Sequence, residues 1–224
     1  SFASGNLLTL EAARNVVLNN TITLTNASDL TITAGGGLSG ASGISLASGS
    51  ALIVDQAGTS TYSGAMSGAG SVTKSGAGTL TLTGSSSFTG GLTVSSGNLI
   101  ANGGQRSLSR VSTNAVTIRN GGTLTLASDD VFGIHSDTDT LNPIEVQAGG
   151  TLTNSGANKF NRLGPLTLSG GTLTSTSGYT GASYTNGAWL LVGTVTVTEN
   201  STISGIGGVF SGYNGAGLTI NVSS

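Results

Sequence analysis

Few residues of this chain could do chemistry, and the largest group of them along the sequence lies in one segment, residues 128–142. That segment carries four aspartates and the single histidine of the chain: Asp129, Asp130, Asp137, Asp139 and His135. Calcium takes roughly six to eight oxygen ligands, and Asp137 and Asp139 could supply two of them from a flexible loop. Neither an EF-hand frame nor the Gly-rich Asp nonapeptide of calcium-binding β-rolls accompanies them. We therefore predict a solvated loop, with Asp137 and Asp139 as the candidate metal ligands if the loop binds a metal.

Catalysis has weak support in the same residues. His135, an aspartate and one of many serines could form a hydrolase triad, but no serine lies in a Gly-x-Ser-x-Gly elbow between a strand and a helix. An enzyme acting on charged sugars would instead need acidic groups with Arg or Lys on one exposed sheet face. The candidates for that arrangement are scattered along the chain: Asp55, Lys74, Arg119, Glu145 and Glu199. We predict no enzyme activity and no cofactor, and keep a carbohydrate-active enzyme as a distant alternative.

Two further segments contain residues that suit binding to a partner. Residues 101–115 hold Arg106 and Arg110, which could form salt bridges with a neighbouring chain. The alternative is a loop with two solvated arginines, since isolated surface ion pairs contribute little.

Residues 174–191 hold Tyr179, Tyr184 and Trp189, three of the ten aromatic residues. Large, rigid aromatic side chains on exposed loops suit sugar rings or protein surfaces. The alternative is that this segment folds back and buries Trp189 in a small core. Together with the two arginines, these aromatics form the predicted contact surface.

Composition limits what the elements around these residues can be. Only 7% of the residues are charged, 38 are glycine, 36% are hydrophobic, and the net charge is -2. This profile argues for a folded chain, because disordered chains combine high charge with low hydrophobicity. No basic field is available for nucleic acid. No apolar run approaches the ~20 residues that a membrane helix needs, so we expect no membrane insertion of this segment.

The apolar residues alternate along the whole chain, which predicts strands with one buried face. Pairs or single aliphatic residues recur with a Gly-containing turn after them. The ten starts lie at 8, 30, 52, 72, 92, 116, 144, 166, 195 and 218, or about 23 residues per step. This period with short strands is typical of a solenoid. We predict an all-β fold, a parallel β-helix of about ten coils with three loop insertions.

The segment from Gly76 to Leu99, GAGTLTLTGSSSFTGGLTVSSGNL, resembles the autotransporter-associated strand-loop-strand repeat of secreted bacterial passenger regions. The features that carry the resemblance are Gly76, Gly78, the strand Thr79-Leu80-Thr81-Leu82, Phe88, Gly90, Gly91 and the closing Gly97-Asn98-Leu99. The segment from Leu7 to Leu24, LLTLEAARNVVLNNTITL, is more loosely similar to coils of filamentous haemagglutinin-type adhesins. Both resemblances imply a right-handed β-helix at a bacterial surface.

The expected function is that of a rod. We expect residues 1–224 to be a single β-solenoid segment of a longer extracellular protein or filament. It would act as a structural and adhesive part of an exported bacterial surface protein. The alternative is a filament subunit that stacks head to tail, because neither end carries a polar cap. The expected partners are further turns of the same solenoid at both ends, and surface glycans or proteins of a host or neighbouring cell.

Overall fold

The computed structural model describes residues 5–108, 114–133, 141–156, 159–176, 189–192, 194–204, 209–211 and 219–222. Within these ranges the chain forms 26 strands and no helix. The strands are numbered along the chain, and each turn of the solenoid passes through a first sheet, a second sheet and a third side. The predicted all-β parallel solenoid is therefore confirmed.

The first sheet has ten strands, each paired in parallel with the equivalent strand of the next turn. Its strands are β1 (Leu7–Ala12), β4 (Asp29–Ala34), β7 (Ala51–Gln56), β10 (Ser71–Ser75), β13 (Leu92–Val94), β15 (Val116–Ile118), β17 (Ile144–Gln147), β20 (Leu166–Ser169), β23 (Thr194–Val197) and β26 (Thr219–Val222). Nine of the ten predicted starts, from Leu8 to Val195, form one register column along this sheet. The tenth position is Ile220, which pairs with Val195, and not Leu218 as predicted. Residues two apart face the same side of a strand, so alternation alone could not separate them.

The second sheet has nine strands. They are β2 (Val16–Leu18), β5 (Leu38–Gly40), β8 (Thr59–Tyr62), β11 (Thr79–Leu82), β14 (Gly97–Ala101), β16 (Gly122–Leu126), β18 (Thr151–Asn154), β21 (Thr172–Ser175) and β24 (Thr202–Ile203). Glycine is required where two turns approach closely at the end of a strand. Gly40 has a φ of 121°, and a Cβ there would overlap the carbonyl oxygen of Leu18 on the turn before.

The third side is divided between a four-stranded and a three-stranded sheet. The first contains β3 (Ile22–Leu24), β6 (Ile44–Leu46), β9 (Met66–Gly68) and β12 (Ser87–Phe88), and the second contains β19 (Asn161–Leu163), β22 (Trp189–Leu191) and β25 (Val209–Ser211). Seven turns, four plus three, therefore have strands on all three sides. The expected count of about ten coils was too high, because the apolar pair marks only the first-sheet strand and not a complete turn.

The core is a stack of aliphatic side chains that point inward from all three sides. Leu124 and Leu168, two inward positions by the alternation, are fully buried. Leu124 lies in register with Leu99 on one neighbouring turn and Leu152 on the other. Leu168 lies in register with Val146 and Val197 in the same way. Each turn therefore covers the core of the next, and burial of apolar area at about 25 cal/mol per Å² holds the stack together.

Candidate contact face

The three predicted insertions leave the solenoid on one side. They follow β14, β16 and β21, which are all strands of the second sheet. Parallel strands end at the same edge of their sheet, so the insertions emerge at the same edge on different turns. The chain after β18, another strand of the second sheet, leaves at this edge too. We call the described residues 102–108, 127–133 and 159–163, which follow β14, β16 and β18, the insertion side.

Backbone hydrogen bonds join the segments of the insertion side from turn to turn. They run from Ser86 N to Ser107 O (2.8 Å), from Leu108 N to Val131 O (3.1 Å), from Arg106 N to Asp130 O (2.9 Å) and from Asp130 N to Phe160 O (2.8 Å). The stack thus continues through the two insertions although no regular strand forms there within the described residues. The bases of the insertions are therefore fixed to the rod.

One buried asparagine anchors the second insertion to the following turn. The Asn161 amide Nδ2 donates to Ser128 O (2.9 Å) and to Asn154 Oδ1 (3.3 Å), and its Oδ1 accepts from Val131 N (2.9 Å). Asn161 is fully buried. Its amide thus satisfies backbone groups that an irregular segment would otherwise leave unpaired in the interior.

Two of the four aspartates of the 128–142 segment have a structural role. Asp129 Oδ1 accepts from Phe160 N (2.8 Å), and its Oδ2 lies 3.7 Å from Lys159 Nζ. Asp130 is buried and bonds through its backbone to both neighbouring turns. Among the described residues, no group of three or more His, Cys, Asp or Glu side chains could hold a metal ion. His135, Asp137 and Asp139 lie outside the described residues.

One of the two predicted contact arginines, Arg106, is described and lies on this side. Arg106 is half-buried at the base of the first insertion, with a φ of 57°. Asp130, its backbone partner on the next turn, has a φ of 46°. A non-glycine residue in the left-handed region is uncommon, and such residues persist where the surrounding structure holds them. Arg110, Tyr179 and Tyr184 lie outside the described residues.

Trp189 does not belong to a contact surface. Its side chain is fully buried in the main core, and its Nε1–H donates to Thr174 O (3.0 Å). Trp189 is the first residue of β22, and it pairs in register with Asn161 of the previous turn. The prediction that Trp189 offers its ring to a partner is wrong for this residue, because the ring is buried. The alternative of burial in a small core of the segment itself is right about burial but not about the place, since the ring lies in the main core.

The described part of the insertion side carries five charged residues. They are Arg106, Asp129, Asp130, Lys159 and Arg162. The side chains of Lys159 and Asp129 are 33% and 44% exposed, so part of this charge is available to a partner.

The carboxylates considered for catalysis do not come together. Asp55 lies in β7 and Glu145 in β17, which are four positions apart in the first sheet. At ~4.8 Å per strand, about 19 Å separate them, too far for a pair of carboxylates to act on one bond. Arg119 follows β15, and Glu199 follows β23.

Lys74 is the one residue of that group with an unusual environment, and sequence reasoning missed it. It occupies an inward position between Val54 and Val94 and is fully buried. Its Nζ donates to Ser75 O (2.5 Å) and Gly76 O (2.9 Å) and lies 3.5 Å from Ser96 O. Burial lowers the pKa of Lys74 to about 8, against a smaller opposing effect of Asp55. The only signal in the sequence is a lysine at a position where other turns have valine, isoleucine or leucine.

No helix among the described residues is long and apolar enough to cross a membrane.

Comparison with known proteins identifies one repeat within the chain. Residues 72–101 match the family model of the passenger-associated-transport-repeat. These residues run from β10 through β14 and include the segment Gly76 to Leu99 on which the resemblance rested. No curated protein and no solved structure matches the chain. The match and the β-solenoid together fit an autotransporter passenger-type repeat, as the sequence indicated.

Proposed function

We propose that this chain is a structural and adhesive rod of an exported bacterial surface protein, which presents its insertion side to a partner. The passenger-associated-transport-repeat at residues 72–101 supports this proposal. That repeat is a structural passenger repeat and not an enzyme family, and it implies a secreted or surface protein.

The observation that carries the proposal is the location of the insertions. The turns before the first insertion are regular, whereas the two insertions that follow β14 and β16 interrupt the third side at neighbouring turns. Hydrogen bonds from Arg106 to Asp130 and from Asp130 to Phe160 hold their bases in place. Binding residues commonly lie on loops that a rigid scaffold positions. The partner we propose is a glycan or protein on a host or neighbouring cell, bound through polar and charged side chains.

A binding assay on cells and on an oligosaccharide array tests this function. We expect the purified chain to bind, and the double variant Arg106→Gln with Lys159→Gln to bind at least several-fold more weakly. Arg119→Gln is the matched control, because Arg119 is an exposed arginine beside the first sheet. Equal binding by both variants, or no binding to any cell or glycan, would contradict the adhesive role. Cleavage of an oligosaccharide would favour the enzyme alternative.

A further inference from the structure

The outer face of the second sheet differs from that of the first in charge. None of the nine strands of the second sheet contains Asp, Glu, Lys or Arg. The first sheet carries charged residues at outward positions: Glu11, Asp29, Asp55 and Glu145. Both sheets stack the same parallel turns, so the repulsion between like charges on adjacent turns applies equally to both. Stacking alone does not explain why the second sheet is uncharged.

Threonine fills two parallel columns on this uncharged face. The strands β8, β11, β16, β18 and β21 each contain a Thr-x-Thr pair. One register column reads Thr59, Thr79, Asn98, Thr123, Thr151, Thr172 and Thr202. The other reads Thr61, Thr81, Ile100, Thr125, Thr153 and Thr174. The register does not slip over these turns, so the threonines form a two-dimensional array.

The dimensions of the array follow from the geometry of strands. Adjacent turns repeat at ~4.8 Å, and two residues along a strand span about 6.6 Å. We call this array, with Asn98 and Ile100 included, the threonine face. Thr59 and Thr61 are exposed, and most of the other threonines are half-buried, with their side chains on the outer surface. Thr125 is more covered, and its Oγ1 donates to Asn98 Oδ1 (2.9 Å).

The chemistry of the threonine face excludes most classes of ligand. Because the face has no charged side chain, it offers no ion pair to a nucleic acid, an acidic glycan or a charged protein surface. No aromatic ring points outward from these strands, so a sugar ring has nothing to stack on. Each threonine presents one hydroxyl and one methyl group, held by a β-branched side chain with few rotamers. A ligand that fits must therefore be uncharged and must repeat in two dimensions.

We propose that the threonine face binds ice. The surface of an ice crystal presents water oxygens in a regular array whose repeats are of the same size as the spacings of the threonine face. Hydroxyl groups can bond to waters of that lattice, and the methyl groups between them favour ordered water in the gaps. A preorganised array pays little entropy on binding, and many weak contacts add along the rod. This binding is separate from the adhesive contact proposed for the insertion side.

The test is the arrest of ice growth by the purified chain, measured as thermal hysteresis and as inhibition of ice recrystallisation. We expect the unmodified chain to shape ice crystals and slow their growth. Thr153→Tyr and Thr81→Tyr, both within the threonine face and on different turns, should each lower the hysteresis at equal concentration about ten-fold, because one bulky side chain holds the neighbouring threonines away from the ice surface. Thr167→Tyr is the control, since Thr167 is a half-buried outward threonine of the first sheet.

Circular dichroism and thermal unfolding identify any variant that fails to fold, and the other variant of the threonine face then decides. The proposal is overturned if the unmodified chain does not slow ice growth, or if the control loses as much hysteresis as the two variants of the face. Co-sedimentation with microcrystalline cellulose or chitin is measured in parallel. Loss of that binding in Thr153→Tyr, without any effect of the chain on ice, would assign the face to a neutral crystalline polysaccharide and overturn the ice proposal.

Discussion

A lysine inside the aliphatic core makes the stability of this solenoid depend on pH. Lys74 replaces an aliphatic residue between Val54 and Val94, and its ammonium group donates to backbone carbonyls, among them Gly76 O. Carbonyl oxygens replace part of the water that a charged lysine loses on burial. The replacement is incomplete, because burial lowers the pKa of Lys74 from 10.5 to about 8.

The size of the effect follows from this pKa. Between pH 8 and 10.5 the unfolded chain holds a proton on Lys74 that the folded chain has released, so stability rises with pH across this window. At 1.36 kcal/mol per pKa unit, the full difference is about 3 kcal/mol, of which about 2 kcal/mol is recovered between pH 7 and pH 9.5. The buried Tyr62 acts in the opposite direction at higher pH. Burial raises its pKa to about 12, so its contribution falls only above pH 10.

Urea unfolding of the unmodified chain and of Lys74→Met at pH 7.0 and pH 9.5 measures the effect. We expect the free energy of unfolding of the unmodified chain to rise by about 2 kcal/mol between these pH values, and that of Lys74→Met to stay nearly constant. Val54→Met is the matched control, one turn away in the same column, and should keep the rise. The same rise in Lys74→Met as in the unmodified chain would refute the assignment to Lys74.

Three further predictions concern the core, Trp189 and metal binding. Leu124→Asp should lower the free energy of unfolding by several kcal/mol, because a buried charge would have no partner. The control Thr123→Asp, at the neighbouring outward position, should have a much smaller effect. Equal effects of the two changes would show that Leu124 does not face inward. Trp189→Phe should lower the free energy of unfolding by about 1–2 kcal/mol, because the hydrogen bond to Thr174 O is lost and the smaller ring leaves a space in the core. An unchanged midpoint of thermal or urea unfolding would contradict the burial of Trp189. Calcium titration by calorimetry should give no sub-micromolar binding, and a tight site would show that the 128–142 segment is more than a solvated loop.

The fold could be predicted from the sequence because each turn repeats the same local rule. Alternation sets which residues face inward, and a parallel stack then brings equivalent positions into register. Leu8, Leu30 and Leu52 could therefore be placed in one column without knowledge of the structure. The last position failed because Leu218 and Ile220 share the same parity, and nothing local favours one of them over the other.

The insertion side could not be predicted, because the edge at which an insertion emerges depends on which strand of the turn precedes it. That strand is known only once the number of strands in each turn is known. The spacing of the apolar pairs shows that 101–115, 128–142 and 174–191 are long, but it does not show that all three follow strands of the second sheet. For a related reason the burial of Lys74 was missed, and that of Trp189 was only one of two alternatives. A lysine at an inward position and a tryptophan beside a Gly- and Ser-rich segment have the same sequence pattern whether they are buried or exposed.

The regular stacking of the rod also explains where its charged residues lie. In a parallel stack, equivalent side chains of adjacent turns are ~4.8 Å apart, and two like charges at that distance repel by about 1 kcal/mol even in water. A charged column repeated over many turns would accumulate this cost, and the outward Asp55 and Glu145 of the first sheet accordingly have uncharged residues in register on both neighbouring turns. The insertion side escapes it, because its segments differ from turn to turn and Asp129 meets Lys159 instead of a second aspartate. Under this constraint a regular sheet can carry isolated charged residues, whereas charged residues can lie side by side where the repeat is interrupted, as on the insertion side.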